Sequence, residues 1–125
     1  MRFDTLLATA GTVSLIFGLG FLFAPSGVLG QYGVVTDQAG LIMTQFFGAA
    51  LVQLGLTYFL VRGLGETMIP RLALAGCVGE LVGLWIAVRA QVAGTVNTLG
   101  WLSIAIYLLF ALAFARFAFA RPAEA

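Results

Sequence analysis

The stretch GCVGELVGLW, Gly76 to Trp85, sets one carboxylate, Glu80, near the middle of an otherwise apolar run. A charged side chain at the centre of a bilayer costs roughly 2.5 to 3.5 kcal/mol on insertion scales, so such groups turn toward neighbouring helices and often mark function. Glu80 stands four residues after Gly76 and three before Gly83, which puts it on or beside a glycine face of a helix. Counted from the ends of the apolar segments, Ser14, Gln53 and Tyr107 fall near the same depth as Glu80, and Gln45 lies closer to one end. The functional reading makes Glu80 a proton-titratable centre, with Gln53 and Tyr107 as hydrogen-bonding partners and Ser14 as a lesser one. The plainer reading is a protonated Glu80 that only hydrogen-bonds across helices, contributing roughly 0.6 to 2 kcal/mol to their association. Depth alone does not choose between them, because helix rotation decides which side chains converge.

The remaining chemistry is narrow. The chain has no histidine and a single cysteine, Cys77. This removes the usual haem ligand, an internal disulfide, a redox pair and a thiolate cluster for zinc or iron-sulfur. Serine-histidine and cysteine-histidine catalysis go with them. Cys77 reads as a small packing residue. No metal site and no dedicated cofactor are expected. A net charge of +1 without a basic cluster offers no electrostatic footprint for nucleic acid.

The elements that must hold Glu80 follow from composition. In a chain of 125 residues, 62% are hydrophobic and 9% charged, with a mean hydropathy of +1.08. These values belong to an integral membrane protein, and roughly 20 apolar residues per crossing leave room for about four spans. Four apolar segments are legible, at about 6–24, 39–61, 67–88 and 99–119. The third starts near Thr67 so that Pro70 falls in a first helical turn, where its missing N–H has no acceptor to lose. The connections Pro25 to Gln38, Arg62 to Arg71 and Arg89 to Thr98 carry the turn-forming residues and read as short loops. Asp37 and Asn97 read as N-caps of the spans that follow. The expected fold is all-α: one domain, 1–125, forming a four-helix bundle with antiparallel neighbours.

Glycine spacing predicts how the bundle packs. Gly11, Ser14 and Gly18 lie at i, i+3 and i+7 in the first span, Gly76, Gly79 and Gly83 repeat the pattern in the third, and Gly48 and Gly55 share a face in the second. Small residues at such spacing let membrane helices approach closely. The segments GTVSLIFGLG and GCVGELVGLW align at Gly11/Gly76, Val13/Val78, Gly18/Gly83 and Leu19/Leu84, which would make two related helical hairpins. A bundle of four short helices is expected to leave little interior for a substrate.

Orientation follows from the arginines. Arg2, Arg62, Arg71, Arg116 and Arg121 fall on one side of a four-span arrangement and only Arg89 on the other. Positive charge is retained in the cytoplasm, so both termini are expected there, with Tyr32 and Trp101 at the outer interface. The first segment is expected to stay as a span. It is longer than the apolar centre of a signal peptide, and FLFA is a poor cleavage site.

FGLGFLFAPSGVLGQYGV, FFGAALVQLGLTYFLVRG and NTLGWLSIAIYLLFALAFARF resemble the small four-span bacterial membrane proteins grouped as DoxX-like, over nearly the whole chain. The resemblance implies a multi-pass protein of the bacterial inner membrane and admits a bound lipid or quinone. It carries over no catalytic motif, and Glu80 belongs to none of its patterns. An architectural likeness to the small multidrug transporters, which also have four spans and a membrane glutamate, lacks their motifs. The sequence therefore favours an accessory or assembly subunit that packs by helix association with itself or with a larger membrane complex. The alternative is an oligomeric proton-coupled carrier or channel that uses Glu80. An enzyme ranks last, because no nucleophile or positioned partner accompanies the carboxylate.

Overall fold

The computed structural model describes residues 1–63 and 65–120. Their regular structure is helical: α1 (Phe3–Phe23), α2 (Pro25–Gln31), α3 (Gln38–Leu60), a 3-10 turn at Glu66–Met68, α4 (Ile69–Val92) and α5 (Gly100–Ala118). α1, α3, α4 and α5 occupy the four apolar segments, and each is long and apolar enough to cross a bilayer. Arg121 lies outside the described residues.

Local chemistry sets the ends of these helices. Asp37 caps α3, its Oδ1 accepting from the Gly40 amide at 2.9 Å. Pro70 sits in the first turn of α4. The expected loop after Pro25 is wound in its first half into α2. The fixed φ of Pro25 suits a first helical turn, and Ala24, at φ −137° and ψ 56°, breaks the line of α1 before it. Asn97 is not the N-cap expected of it. Leu99 takes that place, and Asn97 Oδ1 accepts from the Leu99 amide instead.

The long helices are arranged as two pairs, α1 along α3 and α4 along α5. In the first pair Gly11 meets Gly55 and Gly18 meets Gly48. A Cβ added at Gly18 would lie 2.8 Å from the Val52 nitrogen, and one at Gly48 would lie 2.7 Å from the Leu22 nitrogen. Backbone thus packs directly on backbone, as small residues permit. In the second pair Gly76 receives the Phe114 ring, 2.8 Å from an added Cβ, and Gly83 receives the Tyr107 ring. Gly79 does not join this packing. Nothing lies within 4 Å of a Cβ there, because the contact line follows the seven-residue step from Gly76 to Gly83 and passes Gly79 by.

The pairs are joined at their two ends. At one end Phe3, Leu6, Leu7 and Ala10 of α1, Ala73 and Cys77 of α4 and Phe114 of α5 form the buried core. Phe3 stacks tilted on Phe117 at 5.1 Å, and Tyr58 on Phe114 at 5.8 Å. Asp4 Oδ1 also accepts from the Gly63 amide at 3.2 Å, fixing the start of α1 beside the end of α3. At the other end the Asn97 amide donates to the Tyr32 carbonyl at 2.9 Å, and Asn97 Nδ2 to the Gln31 carbonyl at 3.1 Å. The Tyr32 hydroxyl and Ser103 Oγ share a hydrogen bond of 3.0 Å.

Candidate functional site

Between these closures the two pairs stand apart around a cavity of about 800 Å³. Every helix contributes to its walls, and most of the lining is aliphatic or aromatic. The polar exceptions are Ser14 on α1, Tyr32 after α2, Thr57 and Tyr58 on α3, Glu80 on α4, and Ser103 and Tyr107 on α5. The expectation that so small a bundle has little interior is overturned. Close glycine contact is spent within each pair, so the pairs themselves meet only near their ends. A space of this size, mostly apolar with a few polar groups, is the form of a small-molecule site.

Glu80 sits half-buried at the midpoint of α4, where the cavity meets the α4–α5 contact. Gly76 and Gly83 stand one turn to either side, and each admits an aromatic ring from α5. The Glu80 carboxylate is within electrostatic reach of the Tyr58 and Tyr107 phenols. It is the one charged side chain among the lining residues. Arg2, Arg62, Arg71, Arg89 and Arg116 are all exposed and outside the lining. Arg89 lies over the Trp85 ring at 4.7 Å, as suits a side chain anchored at a helix end. Among the described residues Glu80 has no hydrogen-bond partner, and no group of acidic, histidine or cysteine side chains could hold a metal ion.

The sequence-level candidates divide cleanly. Glu80, Tyr107 and Ser14 share the cavity, whereas Gln53 and Gln45 lie outside it and are exposed. Gln53 has the right depth but the wrong rotation. At about 100° per residue it points away from the face that Gly48 and Gly55 turn to α1. Gln45 has a different task, donating from Nε2 to the Leu22 carbonyl at 3.0 Å, one of the carbonyls that α1 leaves free at its end. Tyr58 and the Tyr32–Ser103 pair were not among the candidates. Leu51, Leu54, Tyr58 and Val61 form a stripe at i, i+3, i+7 and i+10 beside the glycine face of α3, and that spacing is the signal for Tyr58. No comparable local signal marks Tyr32 and Ser103, which are 71 residues apart.

This chain matches no protein family, no curated protein and no solved structure, so what the site can do rests on its own geometry.

Proposed function

We propose that the chain is a multi-pass protein of the bacterial inner membrane that holds a lipophilic small molecule between its two helix pairs. It works as a proton-coupled carrier does, with Glu80 exchanging a proton as the ligand enters or leaves. The observation that carries this reading is the cavity of about 800 Å³ with one carboxylate at mid-depth that has no partner among the described residues. Neighbouring helices running in opposite directions are supported by the order of contacts, Gly11 with Gly55 and Gly18 with Gly48. Cytoplasmic termini are supported by the positive-inside rule. Arg62 and Arg116 lie at the end where Phe3 meets Phe117, and Arg89 lies far from it.

The accessory-subunit reading is weakened by the same packing. Gly11, Gly18, Gly48, Gly55, Gly76 and Gly83 are occupied by partners within the chain, so their small-residue faces are not free for a second protein. The test is native mass spectrometry after gentle extraction, with Gly79→Leu beside the natural chain. One lipophilic molecule bound per chain, lost in Gly79→Leu, is the expected result. A stoichiometric protein partner retained by both, with no small molecule, would return the accessory reading and end this one.

A further inference from the structure

Resting on that reading of the cavity, we infer that the ligand enters sideways from the bilayer through a mouth between α3 and α4. We further assign it to one class, a non-anionic amphiphile with an apolar chain or ring body and a hydroxyl or amine head that donates to Glu80. α3 and α4 scarcely approach one another, although each packs along its own partner. On these two helices Phe47 (44% exposed), Leu54 (38%), Val82 (52%) and Ile86 (57%) line the cavity and are exposed. The lining residues of α1 and α5 are all buried or half-buried, so the open side of the cavity lies between α3 and α4. The other routes carry closures. One end is plugged by Leu6, Leu7 and Phe114, each under 2% exposed, and the other is clasped by the Tyr32–Ser103 and Asn97–Gln31 hydrogen bonds. The mouth is rimmed by apolar side chains and by Thr57, whose hydroxyl is spent on the Gln53 carbonyl at 2.8 Å, so the molecule that passes it without desolvation cost is one already dissolved among lipid chains.

Charge chooses the head. The other polar groups around the cavity are the phenols of Tyr32, Tyr58 and Tyr107 and the hydroxyls of Ser14, Thr57 and Ser103. None is a cation, and Cys77, on α4 itself, is buried in the core. An anionic head would enter an apolar space beside a carboxylate with no cation among the described lining residues to neutralise either. A hydroxyl or amine head instead supplies the hydrogen bond that Glu80 otherwise lacks among the described residues.

The experiment uses the full chain in phosphatidylcholine nanodiscs and three photoactivatable single-chain probes of equal length, with hydroxyl, amine and carboxylate heads. Labelled residues are mapped by mass spectrometry. The hydroxyl and amine probes are expected to label Leu51, Leu54, Val82 and Ile86 about tenfold more than the carboxylate probe, a difference of about 1.4 kcal/mol. Glu80→Gln should admit the carboxylate probe and erase that ratio. Gly79→Trp, whose ring would fill open space, should erase cavity labelling by all three and leave the outward-facing Leu109 and Leu112 labelled as before. Leu54→Trp, on the opposite rim, should slow labelling of Ser14 deep in the cavity, and an unchanged rate would overturn the sideways route. Equal labelling by all three heads that Gly79→Trp erases would overturn the ligand class and leave the cavity a ligand site. No cavity labelling by any probe would overturn the ligand site as well.

Discussion

At the scale of single residues, Glu80 separates a binding role from a structural one. A carboxyl that held helices together would be hydrogen-bonded across them, and its loss would cost roughly 0.6 to 2 kcal/mol. Glu80 has no such partner among the described residues and faces open space. Both Glu80→Gln and Glu80→Leu are therefore expected to unfold in SDS titrations within about 0.6 kcal/mol of the natural chain. A loss of 2 kcal/mol in either would make the carboxylate a structural contact. The residue itself was legible because a carboxylate in an apolar run has few explanations. Its companions were legible only in part. Depth, read from span ends, found Ser14 and Tyr107 but also admitted Gln53. The rotation that removes Gln53 is written in Gly48 and Gly55, the face α3 turns to α1.

At the scale of elements, the glycines of α1 and α4 align in sequence yet meet different partners. Gly18 of α1 receives the backbone of α3 and Gly11 receives the Gly55 carbonyl together with the Phe59 ring, while Gly76 and Gly83 of α4 receive only the Phe114 and Tyr107 rings of α5. The spacing foretold close approach in both pairs. It could not say whether backbone or ring would fill the gap, because that depends on residues far along the chain, from 24 positions (Gly83 to Tyr107) to 44 (Gly11 to Gly55). The distinction has consequences that can be measured. At Gly18 a new Cβ would stand 2.8 Å from a backbone nitrogen and 2.9 Å from the Gly48 carbonyl oxygen, neither of which can swing aside. Gly18→Ala is expected to destabilise the bundle by about 1 to 3 kcal/mol, as overpacking does. Gly79→Ala meets nothing within 4 Å. It should be neutral, or stabilising by up to about 1 kcal/mol through helix propensity alone. SDS unfolding of the two variants checks both. If Gly79→Ala cost as much as Gly18→Ala, Gly79 would belong to a helix contact and not to the wall of the cavity.

At the scale of the whole molecule, a single four-helix bundle was legible as four apolar segments, but its division into two pairs joined only near their ends was not. That division depends on side chains far apart in sequence, such as Phe3 with Phe117 and Tyr32 with Ser103. The two junctions differ in kind, and so should their responses to mutation. Phe114 is fully buried among α1, α3 and α4. In a soluble core Phe→Ala costs about 3 to 5 kcal/mol, as lost transfer energy plus the cavity left behind. Within a bilayer the transfer share shrinks because lipid is as apolar as the core, and the lost packing remains. Asn97→Ala removes the Nδ2 bond to Gln31 and the Oδ1 bond to the Leu99 amide, yet leaves the backbone bond from Asn97 to Tyr32 in place. Its expected cost is about 1 kcal/mol. The sharper expectation is spatial. Hydrogen exchange at the Asn97 and Leu99 amides should quicken in Asn97→Ala while α1 and α5 near Phe3 and Phe117 keep their protection, and Phe114→Ala should do the reverse. Each closure would then open by itself, which two independently fastened helix pairs require. Equal loss of protection at both ends in either variant would mean that the pairs are held as one block, and a mouth between α3 and α4 could not widen without unfolding the bundle.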